Sequence, residues 1–187
     1  LLDKLDALGL ADNTIVVWSF DHGNMLGSHA ATNKRCVWDE SIKIPFIVRW
    51  PGKIKSGTVS GDLISLGDLF ATFADLVGAP LPDDAAEDSW SVLPALIGKS
   101  QGRPLHEALV FQAGNGDLAL RQGRWKFIDV KTEEGRGRLF DLEADPSERR
   151  DLAVVHPEVA ASLAALLDKY RHQGFSRPMK AKSFRPG

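Results

Sequence analysis

An aspartate and a histidine stand side by side at Asp21-His22, after an apolar run and ahead of Gly23. Held at a strand end, such a pair can turn both side chains onto one divalent metal, Asp giving a hard oxygen and His a borderline nitrogen. Two ligands do not complete a site. The plainer account is that Asp21 caps the following turn while His22 lies on the surface. The same polar stretch carries His29 and Lys34. An imidazole there could line a pocket or donate a proton, and an ammonium could face an anion. Taken alone, each reads equally well as a structural histidine and a solvated lysine. The single cysteine, Cys36, excludes an intramolecular disulfide framework and leaves the redox compartment open.

The elements that position these residues follow from periodicity. Leu1, Leu2, Leu5 and Leu8 have helical spacing, with Gly9 placed to stop the helix. Residues 14–18 form a compact β-branched and aromatic run, read as an interior strand of a parallel sheet, with Asp21-His22 at its carboxyl end. Residues 44–50 predict a second strand with Pro45 at its start, ended by the turn Trp50-Pro51-Gly52. Residues 62–77 predict a helix whose apolar face is Leu66, Leu69, Phe70, Phe73, Leu76 and Val77. A Pro-, Asp- and Ala-rich loop follows over 79–91, then a short apolar segment at 93–97 and a polar connector at 98–104.

Beyond the connector, short strands at 108–112, 118–121, 125–130 and 139–142 alternate with turns and predict a small antiparallel sheet. Residues 157–170 predict a helix with Val159, Leu163, Leu166, Leu167 and Tyr170 on one side. The tail holds Arg177, Lys180, Lys182 and Arg185 and no acidic residue. The expected organisation is an α/β portion over 1–103, a small α+β unit over 104–174 and a basic tail over 175–187. With 43% hydrophobic and 26% charged residues, the 187-residue chain has the makings of a globular core. A net charge of −2 gives no electrostatic case for nucleic acid or an anionic membrane surface, and no run approaches a membrane span. The chain starts without Met, at residues with helical spacing, so a targeting segment could precede it.

Order and spacing together carry a family resemblance. Asp21-His22-Gly23-Asn24-Met25-Leu26-Gly27-Ser28-His29, then Lys34, then Trp38-Asp39-Glu40-Ser41 leading through Ile44-Pro45-Phe46 into Trp50-Pro51-Gly52, resembles the C-terminal signature of sulfatases. These belong to the alkaline phosphatase superfamily. The likeness continues through Leu120-Arg121-Gln122-Gly123-Arg124-Trp125-Lys126, and from Leu139-Phe140-Asp141-Leu142 past Asp145-Pro146-Ser147-Glu148 to Asp151-Leu152. The resemblance implies an α/β fold: the C-terminal part of an alkaline-phosphatase-like sheet domain plus a small antiparallel sheet packed by a C-terminal helix.

It also implies Asp21 and His22 as metal ligands, usually for calcium, with manganese as the alternative. Lys34 would contact the sulfate or the leaving oxygen, and His29 would line the pocket or assist departure. Asp39 and Glu40 are read as helix-surface charges, and Trp50 and Trp125 as packing residues. The family nucleophile is a formylglycine made within a Cys/Ser-x-Pro-x-Arg motif in the N-terminal half, beside an Asp-Asp pair that completes the metal site. Neither motif is present, and Cys36 is followed by Val37-Trp38 with no proline two residues on. The expectation is therefore a C-terminal portion, inactive alone, whose partners are the missing N-terminal half and a sulfated small molecule or glycan. Two departures bear on substrate details: Phe20 replaces a small residue before Asp21, and Ala30-Ala31-Thr32-Asn33 replaces a Gly-aromatic pattern. The alternatives are a phosphonate monoester or phosphodiester hydrolase of the same superfamily, and a non-catalytic interaction module. Many relatives of this kind are exported, which inclines the reading toward a periplasmic or secreted protein.

Overall fold

The computed structural model describes residues 1–100, 102, 104–130 and 137–179. Its first part opens with helix α1 (Leu2–Ala7), which ends before Gly9 in the left-handed region at φ 65°. Strands β1 (Val16–Ser19) and β2 (Phe46–Arg49) then pair with each other. The pairing is antiparallel, Val16 opposite Arg49 and Ser19 opposite Phe46, which corrects the expected parallel arrangement. An apolar run announces a strand but not its direction. Direction is set by the connection, and here a loop and the short helix α2 (Asp39–Ile42) return the chain the opposite way. Trp18 and Ile47, directly opposite each other, are both exposed.

The helix expected over 62–77 forms only as α3 (Asp68–Leu76). Its start is fixed by Asp68, whose carboxylate accepts the backbone N–H of Ser65 at 2.6 Å and of Trp90 at 3.0 Å, with His106 Nε2 at 2.8 Å. Those bonds hold residues 65–67 in a turn ahead of the helix. The buried side of α3 is Asp68, Ala71 and Thr72, while Phe70, Phe73, Leu76 and Val77 are exposed. The apolar face is therefore the open one. The polar side is inward because the segment running into α4 (Leu93–Leu96) needs hydrogen-bond partners there: Val92 N–H donates to Thr72 Oγ1, and Ser89 Oγ accepts from Ala71 N–H.

Four strands, β3 (Leu109–Gln112), β4 (Leu118–Gln122), β5 (Trp125–Asp129) and β6 (Arg138–Asp141), make an antiparallel sheet in sequence order, as expected. Helix α5 (Pro157–Gln173) packs Leu163, Leu167 and Tyr170 against Leu120, Phe127 and Leu139 on one face. The alternate residues Ala119, Ile128 and Phe140 face the other way and are covered by Val37, with Trp38 beside them. Each fully buried Leu or Phe in this core contributes about 1.5–3 kcal/mol. Lys180, Lys182 and Arg185 lie outside the described residues. Arg177 docks on the 82–86 loop, donating to the carbonyls of Pro82 and Ala85 at 2.9 Å. Among the described residues, no helix is long and apolar enough to cross a membrane.

Candidate functional site

The site loop leaves β1 and meets α2 at Gly23. The Gly23 N–H donates to the Ser41 carbonyl at 2.8 Å, and a Cβ at Gly23 would stand 2.0 Å from the Glu40 carbonyl oxygen. Only a glycine permits this approach, and it fixes His22 beside α2. The His22 Nδ1 lies 2.6 Å from the Gly23 carbonyl. With a carbonyl as partner this nitrogen must be the N–H donor, which leaves the lone pair on Nε2. The Lys34 ammonium donates to that Nε2, and Asp21 Oδ2 lies 3.4 Å from it.

Asp21, His22 and Lys34 thus converge at the end of β1, in a place open to solvent: the side chains of Asp21 and His22 are 84% and 34% exposed. A carboxylate oxygen and an imidazole nitrogen in the right tautomer suit a divalent cation. The Lys34 ammonium now occupies the Nε2 lone pair for which such an ion would compete. They supply two ligand groups, so further ligands are needed to complete a site.

The loop between these residues is strained. Leu26, His29, Ala30 and Arg35 all adopt positive φ, at 47°, 51°, 57° and 76°. A non-glycine residue there costs roughly 1–2 kcal/mol, and such strain gathers at functional sites. Neighbouring structure holds it: Met25 is buried and its N–H bonds to Asn33, while the Arg35 carbonyl accepts the Gly114 N–H at 2.9 Å. His29 belongs to a separate set of contacts. Its ring stacks on Trp38 with centroids 4.0 Å apart, and its Nε2 lies 3.9 Å from Glu40 Oε2. Cys36 is a half-buried free thiol.

Asp39 is not a helix-surface charge. It is buried, and Lys126 Nζ lies 2.8 Å from its Oδ1 and 2.6 Å from Glu148 Oε1. One ligand atom from each of His29, Glu40 and Glu148 also falls within 4.8 Å of the others. Because Lys126 already supplies the positive charge beside Glu148, we read this group as an ionic network rather than a metal centre. In the sequence Lys126 stands only at the end of the Leu120-Arg121-Gln122-Gly123-Arg124-Trp125-Lys126 stretch that carries the resemblance, with no role of its own. The available signal was its two-residue spacing from Ile128, which puts an ammonium on the same sheet face as a core residue.

Comparison with known proteins agrees with this architecture. The family model for N-sulphoglucosamine sulphohydrolase, C-terminal, matches residues 27–173. The chain is 36% identical, over 91% of its length, to an N-acetylgalactosamine-6-O-sulfatase of Bacteroides thetaiotaomicron, and spans 39% of that relative. A protein solved in complex with its substrate, D-glucosamine-2-N,6-O-disulfate, aligns with TM-score 0.79 at 25% identity, over 91% of this chain and 36% of that one. The phosphonate monoester hydrolase of Agrobacterium radiobacter shares the fold, with TM-score 0.73 at 24% identity over 91% of this chain and 37% of that one.

Proposed function

The chain belongs to the sulfatase family, within the alkaline phosphatase superfamily, and from that premise we propose that it is the C-terminal part of an enzyme hydrolysing sulfate esters, with Asp21 and His22 as metal ligands and Lys34 as the cation facing sulfate. The observation carrying this reading is the convergence of Asp21 Oδ2, His22 Nε2 and Lys34 Nζ after β1. A divalent ion bound there, calcium or manganese, would neutralise charge on the sulfate oxygens. The residues of this chain do the rest of the local work. The Gly23 carbonyl keeps the His22 proton on Nδ1, which presents Nε2 as a ligand. Lys34, once off that nitrogen, holds three protons at Nζ and can clamp a sulfate oxygen or give a proton to the departing alkoxide.

The formylglycine nucleophile and the remaining ligands belong, on this reading, to an N-terminal portion of the enzyme. The exposed Trp18, Phe20 and Ile47 near β1 and β2, and Phe70 and Phe73 on α3, suit packing against it. The names of the relatives favour a sulfated sugar or glycan as substrate. The shared fold of the phosphonate monoester hydrolase supplies the competing reading. The test is to assay the enzyme carrying this domain on aryl sulfates, sulfated hexosamines and phosphonate monoesters, with metal content measured in parallel. Sulfate esters are the preferred substrates, and Asp21→Ala loses both bound metal and nearly all turnover. Normal metal content and turnover in that variant would refute the ligand assignment, and a preference for phosphonates would refute the substrate class.

A further inference from the structure

Three charged side chains are sealed between the four-stranded sheet and the segment carrying the site loop. The Lys126 side chain on β5 is fully buried, at 0% exposure. It stands opposite Phe140 and two residues from Ile128 on β5, and reaches Asp39 Oδ1 at 2.8 Å and Glu148 Oε1 at 2.6 Å. The other oxygen of Glu148 accepts the backbone N–H of Asp39 at 2.7 Å. Burying an ammonium at such depth costs several kcal/mol unless it is paired, and apolar residues would often hold the same layers together as well. What the ions add is direction. An ammonium, two carboxylates and one backbone N–H fit together in one register of the 38–41 segment on the sheet.

That segment grips the site loop at two points. The Ser41 carbonyl takes the Gly23 N–H, next to His22, and Trp38 stacks on His29. Between and beyond these points the loop holds its four positive-φ residues, a conformation that persists only where the surroundings over-determine it. We propose that Lys126, Asp39 and Glu148 are positioning residues that set segment 38–41 on the sheet and thereby place His22 and His29 in the site. Their described side-chain hydrogen bonds and ion pairs are with one another and with the Asp39 backbone, so they act through α2 rather than on a substrate. The activity part of this inference rests on the sulfatase reading; the structural part does not.

A stabilising role and a positioning role separate when the whole network is made neutral. Asp39→Asn/Lys126→Met/Glu148→Gln removes all three charges at similar volume, and urea unfolding checks that the variant is folded before it is compared with wild type. In the full enzyme, amide exchange at Gly23 is measured against the amides of Leu142 and Leu152, which bond to Arg124 and Leu139 carbonyls away from the loop. In parallel, kcat and KM are measured on an aryl sulfate. Positioning predicts Gly23 exchange faster by about tenfold or more with the two reference amides unchanged. It also predicts kcat lower by about 10–100-fold, the scale of losing support behind a site ligand, with KM little changed. Wild-type Gly23 exchange, or wild-type kcat, in a folded variant overturns the proposal. If the triple variant does not fold, Glu148→Gln, which keeps the Lys126–Asp39 pair, is judged by the same two outcomes. A wild-type enzyme that turns over no sulfate ester overturns the functional reading, and Gly23 exchange alone then decides the positioning role.

Discussion

Lys34 and Lys126 each stand among acidic or imidazole partners, yet their surroundings differ in every physical respect. Lys34 is exposed on a strained loop beside His22 and Asp21, where water can replace each of its contacts. Lys126 is sealed beneath the sheet, where Asp39 and Glu148 are its only compensation among the described residues. The exposed ammonium can change partners at little cost, which a group that must meet and release a substrate requires. The buried one cannot, which suits a group whose task is to keep other residues in place. On the proposed reading, one kind of side chain serves chemistry in one region and registration in the other, and solvent access makes the difference.

The largest effect that tests this contrast is on stability. Lys126→Ala strands two buried carboxylates, and breaking a buried ionic group by removing one partner costs about 3–5 kcal/mol. Urea unfolding of the variant should show that loss. A change below about 1 kcal/mol would mean that water reaches the network and that the two lysines are not so different. The next effect is on rate. Lys34→Ala should lower turnover of sulfate esters by about 10²–10³, the cost of one preorganised transition-state contact. Its unfolding midpoint should stay near wild type, because exposed substitutions of this kind usually change stability by about 0.5 kcal/mol or less. The loss should be smaller on an activated aryl sulfate than on an alkyl sulfate if Lys34 gives a proton to the leaving oxygen, and equal on both if it only clamps the sulfate.

A third substitution probes the junction of the two regions. Gly23→Ala would force a methyl against the Glu40 carbonyl, 2.0 Å away. Overpacking of this kind costs about 1–3 kcal/mol. The loop should move rather than α2, because Asp39 holds α2 to Lys126 and Glu148. Turnover should therefore fall further than thermal stability, which parallel melting and kinetic measurements would show. Equal, small changes in both would place the loop's anchor elsewhere.

How far this arrangement is legible in the sequence depends on the range of the interactions. The four-stranded sheet and α5 follow from local alternation and helical spacing, and both form as the pattern predicts. The direction of β2 against β1 does not, because the route of the chain between them sets it. The apolar stripe on α3 is readable as a stripe, but periodicity cannot say which side is covered. Here the 89–92 backbone claims the polar side. At the site, Asp21, His22 and Lys34 share a short stretch with a recognisable spacing, so their convergence could be anticipated. The buried network could not: Lys126 and Asp39 are 87 positions apart, and Glu148 and Asp39 are 109 apart. No local pattern joins them; the one local sign is the place of Lys126 two residues from Ile128 on β5.

The smallest effect is a pH dependence confined to the sealed region. Burial pushes the Glu148 carboxyl above its ordinary range, even though Lys126 pulls it back. The folded protein then still binds this proton at pH values where the unfolded chain has released it. The contribution of Glu148 to stability is accordingly fully present below its unfolded pKa and declines as pH rises through the interval up to its raised folded value. Asp141 works in the opposite sense on the rim of the same sheet. Its hydrogen bond from Arg124 holds its carboxyl below the ordinary range, so that its contribution is present at neutral pH and lost as the solution becomes acidic. The Asp141 slope lies below the ordinary aspartate value of 3.8 and the Glu148 slope above the ordinary glutamate value of 4.5, so one acidic range covers both and substitution separates them. In Glu148→Gln, stability measured by urea unfolding across this range should lose the part that declines with rising pH and keep the part that rises from Asp141. Arg124→Ala should do the reverse. A Glu148→Gln variant with the wild-type stability slope would show that Glu148 stays ionised in both states, which would make Lys126 a stronger partner than its burial costs.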